Sequence, residues 1–158
     1  MKTCLGVALL LLLARPVGAT RALPVSLEAL ARNAELVVEG DAGPGQSFRI
    51  DGRIFTRIEV RVRGVWKGDE RARSVSIILR GGIVDGIGQR VDGEAVVEEG
   101  DHTVLFLRYD DDLAGYRPIA LEQGAFRVRD RGDLRAARLE AVDLPSFESR
   151  VRGLVRAP

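Results

Sequence analysis

Residues 53–63, RIFTRIEVRVR, carry the clearest two-residue periodicity in the sequence. Successive side chains of a strand point to opposite faces, so the segment divides into two sets. One set is largely apolar: Ile54, Thr56, Ile58, Val60 and Val62. The other is largely charged: Arg53, Phe55, Arg57, Glu59, Arg61 and Arg63. The pattern predicts a strand with one core face and one face in water, which is typical of antiparallel sheets.

The segments on either side of this strand predict further strands. Upstream, residues 35–40 are predicted as a strand, and residues 41–52 as the turn that ends it, because glycine and proline cluster there. Downstream, SVSIILR (74–80) places Val75, Ile77 and Leu79 in the core. The apolar run 104–107 suits a strand covered on both faces. Residues 116–129 predict one or two more strands around Gly124.

Two short helices are predicted near the ends of the chain. Ser26 is suited to cap the first helix, and Ser146 the second, whose apolar side would be Phe147, Val151, Leu154 and Val155. Together these elements predict an all-β or β-rich fold. We expect a five- to six-stranded antiparallel OB-like barrel with short N- and C-terminal helices.

The first nineteen residues have the layout of a secretory signal peptide. Lys2 precedes the apolar run 5–13, and Pro16 and the small residues 17–19 follow it. We expect cleavage after Ala19, a single domain over residues 20–158, and a secreted or periplasmic protein. The apolar run is too short to span a bilayer, so we expect no stable membrane insertion after cleavage.

The charge and the cysteine content restrict the classes of partner and cofactor that this chain could bind. Two of the 24 basic residues, Lys2 and Arg15, lie in the leader. The other 22 (24 − 2) are set against 23 acidic residues, so residues 20–158 carry a formal charge of −1. A near-neutral chain argues against nucleic acid as the main partner. The only cysteine, Cys4, also lies in the leader. The mature chain therefore has no disulfide and no cysteine-bound metal.

The glycine-rich segment GGIVDGIGQRVDG (81–93) matches no phosphate or calcium motif. A Walker loop needs a Lys-Ser/Thr pair that is missing here, a dinucleotide fingerprint would need glycine in place of Val91, and the acidic spacing of an EF-hand is absent. Its apolar residues are Ile83, Val84, Ile87 and Val91. We expect an ordered loop that either caps the core with these residues or presents them to a partner. The third alternative is a plain flexible connection.

No catalytic, cofactor or metal residues are predicted. His102 is the only histidine, which excludes a multi-histidine zinc site within one chain. A Ser-His-Asp arrangement would also need His102, but its neighbours Asp101 and Thr103 point to the strand face opposite His102. A hydrolase that uses a pair of carboxylates stays open, because Glu35, Glu94, Glu98 and Glu122 are available.

The charged face of residues 53–63 is the best candidate for a binding surface. Its candidates are Arg53, Arg57, Arg61 and Arg63, with Phe55 among them; Arg127 and Arg129 could extend the row, and Ile83 and Ile87 add a second candidate patch. Anionic polysaccharide or a protein would suit such a face. The alternative is a solvated face neutralised by Glu59 and neighbouring acids.

The order of these segments resembles a group of small secreted bacterial proteins of unassigned function with an OB-fold-like barrel of the netrin and metalloprotease-inhibitor type. The resemblance covers about residues 25–130 and is carried by packing and turn features. These are Trp66-Lys67-Gly68, Gly81-Gly82, Gly86-Ile87-Gly88, Val104–Leu107, and Gln123-Gly124 before Phe126. Inhibitors of that type chelate zinc through an N-terminal cysteine, which the mature chain lacks.

The sequence therefore predicts a secreted or periplasmic, non-enzymatic binding module. Its partner would be an unidentified protein or polysaccharide. Two alternatives stay open, a carboxylate-pair hydrolase and an envelope component that associates with copies of itself.

Overall fold

The computed structural model describes residues 23–69, 71, 73–128, 133–135 and 142–156. The predicted leader and its cleavage site lie outside this range. The helices are α1 (Leu27–Asn33) and α2 (Leu144–Arg156). The strands are β1 (Leu36–Ile50), β2 (Arg53–Lys67), β3 (Ser74–Arg80), β4 (Gly82–Val84), β5 (Ile87–Gln89), β6 (His102–Asp110), β7 (Gly115–Pro118), β8 (Ala125–Val128), β9 (Asp133–Arg135) and β10 (Val142–Asp143).

The larger sheet has the strand order β1-β2-β3-β7-β6-β8-β9-β10, and β1 also pairs with β6. Strands β4 and β5 form a separate hairpin. The predicted β-rich class with two short helices is confirmed, and six strands of the larger sheet have four or more residues. The prediction of a purely antiparallel sheet is wrong at one place, where Ile77 of β3 pairs in parallel with Tyr116 of β7. Strand β6 runs opposite to β3, and a tight turn reverses the chain again before β7.

The predicted turn over residues 41–52 is wrong, because β1 continues to Ile50. Gly43 and Pro44 occupy a bulge, seen as a register shift between Ala42 and Gly45, and a bulge accommodates both residue types inside a strand. The chain reverses only at Asp51-Gly52, where both residues have positive φ angles, as in the tight hairpin turns that match strand twist. Residues 45–58 therefore form a long hairpin, called here the arm.

The core lies on both sides of the β1–β6 layer. One cluster includes Val38, Val60, Ile77, Leu79 and Leu105. The other packs the sheet against both helices and includes Leu30, Val37, Phe106, Phe126, Phe147 and Val151. All four residues of the run 104–107 are buried. The prediction that this strand is covered on both faces is therefore confirmed.

The two helix caps differ in how well they were predicted. The Ser26 hydroxyl accepts a hydrogen bond from the Ala29 backbone N–H at 3.1 Å, as expected. The second helix begins at Leu144, and the Asp143 carboxylate accepts from the Ser146 N–H at 3.0 Å. The predicted Ser146 cap is therefore wrong by about one turn. The helix begins earlier than predicted because Pro145 is well suited to the first turn of a helix. Within the described residues, neither helix is long and apolar enough to cross a membrane.

Candidate functional site

The outer face of the arm brings together two of the predicted arginines and two aromatic rings. Phe48 and Phe55 are directly opposite across the two strands, with ring centroids 5.9 Å apart. The Arg57 guanidinium lies 5.7 Å from the centroid of the Phe48 ring, within the range of a cation–π contact. Arg53 is opposite Ile50 at the end of the same face. We call Phe48, Ile50, Arg53, Phe55 and Arg57 the arm face.

Arg57 also ties the arm to the turn between β6 and β7. Its Nη2 donates to the Leu113 carbonyl at 3.2 Å, and its Nη1 donates to the Ser76 hydroxyl at 3.3 Å. The guanidinium is therefore held between an aromatic ring and a carbonyl, with no acidic partner among the described residues. Phe55 is only 7% exposed, whereas Ile50 and Arg53 are exposed and Phe48 and Arg57 are half-buried.

A partly buried ion network lies next to the arm face. Glu94 is 6% exposed, and its Oε2 accepts from Arg80 Nε at 2.7 Å. Arg117 lies between two carboxylates, 3.8 Å from Glu94 Oε2 and 3.5 Å from Asp110 Oδ2. Arginine binds carboxylates firmly through its fixed fork of donors. The most buried carboxylate of the described chain is therefore occupied by structural contacts.

Arg61 and Arg63 do not belong to the arm face, because both form ion pairs with an acidic residue of β1. Both contact Oδ2 of Asp41 on the neighbouring strand, Arg63 Nε at 2.8 Å and Arg61 Nη2 at 3.4 Å. The acid that neutralises them is thus Asp41, one of the neighbouring acids, and no ion pair joins Glu59 to either arginine among the described residues. These two arginines are therefore paired with an acid, as in the alternative of a solvated, neutralised strand face.

The hydrogen bond from Arg63 lowers the pKa of Asp41 below its ordinary value of 3.8. A carboxylate whose pKa is lower in the folded state stabilises the fold above its unfolded pKa, and this contribution is lost as the pH falls through the folded value. We therefore expect Asp41→Asn to reduce the free energy of unfolding at neutral pH. The difference from the wild type should shrink steadily below pH 3.8, as measured by urea unfolding at several pH values. A difference that stays constant down to the acid limit would contradict this role.

The remaining predicted arginine positions fall outside the arm face. Arg127 Nη2 is 2.6 Å from Asp101 Oδ2 and 3.4 Å from Glu98 Oε2, and Arg129 lies outside the described residues. His102 Nε2 is 2.8 Å from Glu39 Oε1, which fits the structural role expected for it. Among the described side chains, no group of three or more His, Cys, Asp or Glu residues is placed to hold a metal ion.

The glycine-rich segment forms the ordered β4–β5 hairpin, with Asp85-Gly86 at its tip. The expectation that Ile83 and Ile87 cap the core is wrong, since they are 71% and 57% exposed. Ala95 and Val97, further along the chain, are buried in that part of the core instead. The capping segment therefore follows the hairpin, and the exposure of the two isoleucines agrees with the alternative that they contact a partner.

The hairpin packs on the inner face of the arm, opposite the arm face. The Ile83 N–H donates to the Ser47 hydroxyl at 3.3 Å, and the Ile54 N–H donates to Gln89 Oε1 at 2.9 Å. Thr56 Oγ1 donates to the Gly81 carbonyl at 2.8 Å. These contacts attach the hairpin to the inner face of the arm and leave the outer face uncovered by the hairpin.

A cleft of about 190 Å³ lies between the end of β2 and α2, lined by Val65, Trp66, Lys67, Gly68, Arg152, Val155 and Arg156. Its charges have structural uses. Lys67 Nζ donates to the carbonyls of Ala31 and Arg32, which end α1, and Arg152 donates to the Val65 carbonyl at 2.9 Å. Cations at helix C-termini stabilise the helix, so this cleft is a weaker candidate than the arm face.

Phe48 is the functional candidate that the sequence analysis missed. It lies in the segment predicted as a turn, so it was assigned to no face. The sequence signal for it would have been the two-residue spacing of Gln46, Phe48 and Ile50. These three residues lie on the same sheet face as Arg57, Phe55 and Arg53, their partners on β2.

Comparison with known proteins adds no family. The chain matches no protein-family model, and no curated protein is significantly similar to it. Its function therefore has to be argued from the geometry of the chain itself.

Proposed function

We propose that this chain is a non-enzymatic binding module that is exported to the periplasm or the medium and binds an anionic partner on the arm face. The fold we propose for it is a closed, OB-like barrel. The pairings β1–β2, β2–β3, β3–β7, β7–β6 and β6–β1 support closure, because together they return to the starting strand. The parallel contact between β3 and β7 supports the OB-like strand order.

The position of the arm face within this fold supports its role. OB-folds bind oligomeric ligands on the face of the second and third strands and on the loops that join strands one to two and four to five. In an OB-like barrel the arm face belongs to that surface, and the turn contacted by Arg57 is the corresponding second loop. The observation that carries the proposal is the Phe48 ring beneath Arg57, with Arg53 beside it and no acidic partner for either arginine among the described residues.

The carboxylate-pair hydrolase has no comparable support. Glu94 and Asp110 share Arg117, and Glu94 also accepts from Arg80. A general acid or nucleophile must be available to the substrate, whereas these carboxylates are engaged by arginines.

The binding proposal is tested with dextran sulfate, using unsulfated dextran as the control polymer. We expect Arg53→Gln/Arg57→Gln to weaken binding to dextran sulfate by at least about tenfold, because two charge-assisted contacts are lost. Arg71→Gln/Arg150→Gln, at two exposed positions, should weaken binding less than about twofold for the same change of charge. Isothermal titration calorimetry at fixed salt measures both. An unchanged affinity in the double variant would contradict the proposal.

Export is tested separately. We expect the mature protein to begin at Thr20, because the charge, apolar run and small residues of the leader place cleavage after Ala19. The intact mass of the exported protein measures this directly. A protein that keeps Met1 and Cys4 would overturn the proposed compartment.

A further inference from the structure

We propose that the partner is an extended polypeptide segment with alternating apolar and acidic residues, and that it adds as a strand to the open edge of β1 at residues 45–49. This inference rests on the proposed function, because it names the class of partner that the arm binds.

The first observation is an open edge. The pairing of β1 with β6 ends at Asp41 and His102, and the next contact on that side is the pair of hydrogen bonds between Ala42 and residues 100 and 101. Beyond it, residues 45–50 pair only with β2 among the strands that the structure describes. An unpaired edge of this kind is a template for another strand.

The second observation is the direction of the backbone groups. The Ile54 N–H donates to Gln89, and its carbonyl accepts from the Gly81 N–H, so both groups point away from β1. Arg49 is directly opposite Ile54. In an antiparallel pair both members of a non-hydrogen-bonded position point away from each other, and such positions alternate. The N–H and carbonyl groups of Gly45, Ser47 and Arg49 therefore face the open side.

The third observation is that the features that usually prevent edge pairing, a bulge and a proline, precede residues 45–50 and are absent within them. The bulge and Pro44 precede Gly45, and from Gly45 to Ile50 the register with β2 shows no further shift. Bulges, prolines and charges are how proteins prevent edge pairing. Within residues 45–50, Arg49 is the single charged residue, and it favours an acidic neighbour.

The side chains beside the edge define the partner's chemistry. On the outer face an added strand would lie next to Phe48 and Ile50, which suit apolar residues. On the inner face the β4–β5 hairpin already contacts Ser47, so an added strand would lie next to Arg49, which is exposed and has no acidic partner among the described residues. Because side chains of the added strand also alternate between faces, the matching sequence alternates apolar and acidic residues. Arg53 and Arg57 add positive charge on the arm.

The test is a ¹⁵N NMR titration of the full mature chain with the N-acetylated, C-amidated peptide Val-Glu-Val-Glu-Val-Glu. Arg49→Ala removes only the side chain, whereas Arg49→Pro also removes the outward N–H and leaves the ladder with β2 intact. We expect Arg49→Pro to bind the peptide at least about tenfold more weakly than Arg49→Ala. The amides of residues 47 and 49 should gain protection from hydrogen exchange in the bound wild type.

Several results would overturn the inference. These are equal binding by the two Arg49 variants, equal binding of the matched peptide with lysine in place of glutamate, and no binding up to about 1 mM. Dimers that sediment as such and dissociate in Arg49→Pro would assign the edge to a second copy instead. If the peptide fails while dextran sulfate still requires Arg53 and Arg57, the inference fails and the proposed function stands. A melting temperature that both Arg49 variants share with the wild type shows that folding is intact.

Discussion

Phe147→Ala is expected to destabilise the fold by roughly 3–5 kcal/mol, the usual cost of removing a buried phenylalanine. The Phe147 side chain is 2% exposed and joins α2 to the sheet. Its ring centroid lies 5.0 Å from that of Phe126, 6.0 Å from Trp66 and 6.4 Å from Phe106. Alanine would leave a cavity among three aromatic rings that cannot close without moving the helix.

Urea unfolding of the mature chain measures this loss. Ser149→Ala, on the exposed side of the same helix, is the matched control and should change the free energy of unfolding by less than about 0.5 kcal/mol. A loss below about 1 kcal/mol for Phe147→Ala would mean that the helix does not complete the core.

Gly82→Ala is expected to displace the β4–β5 hairpin from the arm. Gly82 has a φ angle of +132°, which residues with a Cβ rarely adopt, and an added Cβ would overlap Ser47 Oγ and Thr56 Oγ1. These two hydroxyls bond each other at 3.0 Å and also anchor the hairpin. We expect a loss of roughly 2–4 kcal/mol, from backbone strain and the broken contacts.

Gly86→Ala separates these two causes. Gly86 also has a positive φ angle, +76°, but nothing lies within 4 Å of an added Cβ. Its loss should be limited to the backbone term, about 1 kcal/mol. Equal losses for the two variants, measured by urea unfolding, would contradict the packing of the hairpin against the arm.

The sequence predicted elements better than it predicted their relations. The alternation of residues 53–63 is a local property, and the strand with its buried Ile54, Ile58 and Val60 follows it. The turn predicted over residues 41–52 failed because the same glycines and proline serve either a turn or a bulge. Which one forms depends on the partner strand. Gly43 packs closely against β2, where an added Cβ would lie 3.0 Å from the Glu59 carbonyl, and a contact this distant along the chain is not visible in the local sequence.

The sequence also could not show that the arginines of residues 53–63 fall into two groups with different contacts. Arg57 and Arg61 are four residues apart on the same strand face, yet one contacts Phe48 and the other Asp41. Both contacts are with β1, and the bulge in β1 decides which residue lies opposite each arginine. Likewise, Ile83 and Val97 look equally suited to cap the core, and only tertiary packing assigns that place to Val97.

Binding of an anionic partner to the arm face is tested most directly by ¹⁵N NMR titration of the mature chain with short dextran sulfate fragments. We expect amide shifts to concentrate in residues 46–57 and in the turn 111–114 contacted by Arg57, and to disappear in Arg53→Gln/Arg57→Gln. Shifts concentrated instead at Lys67, Arg152 and Arg156, or at Arg61 and Arg63, and unchanged in that double variant, would contradict it.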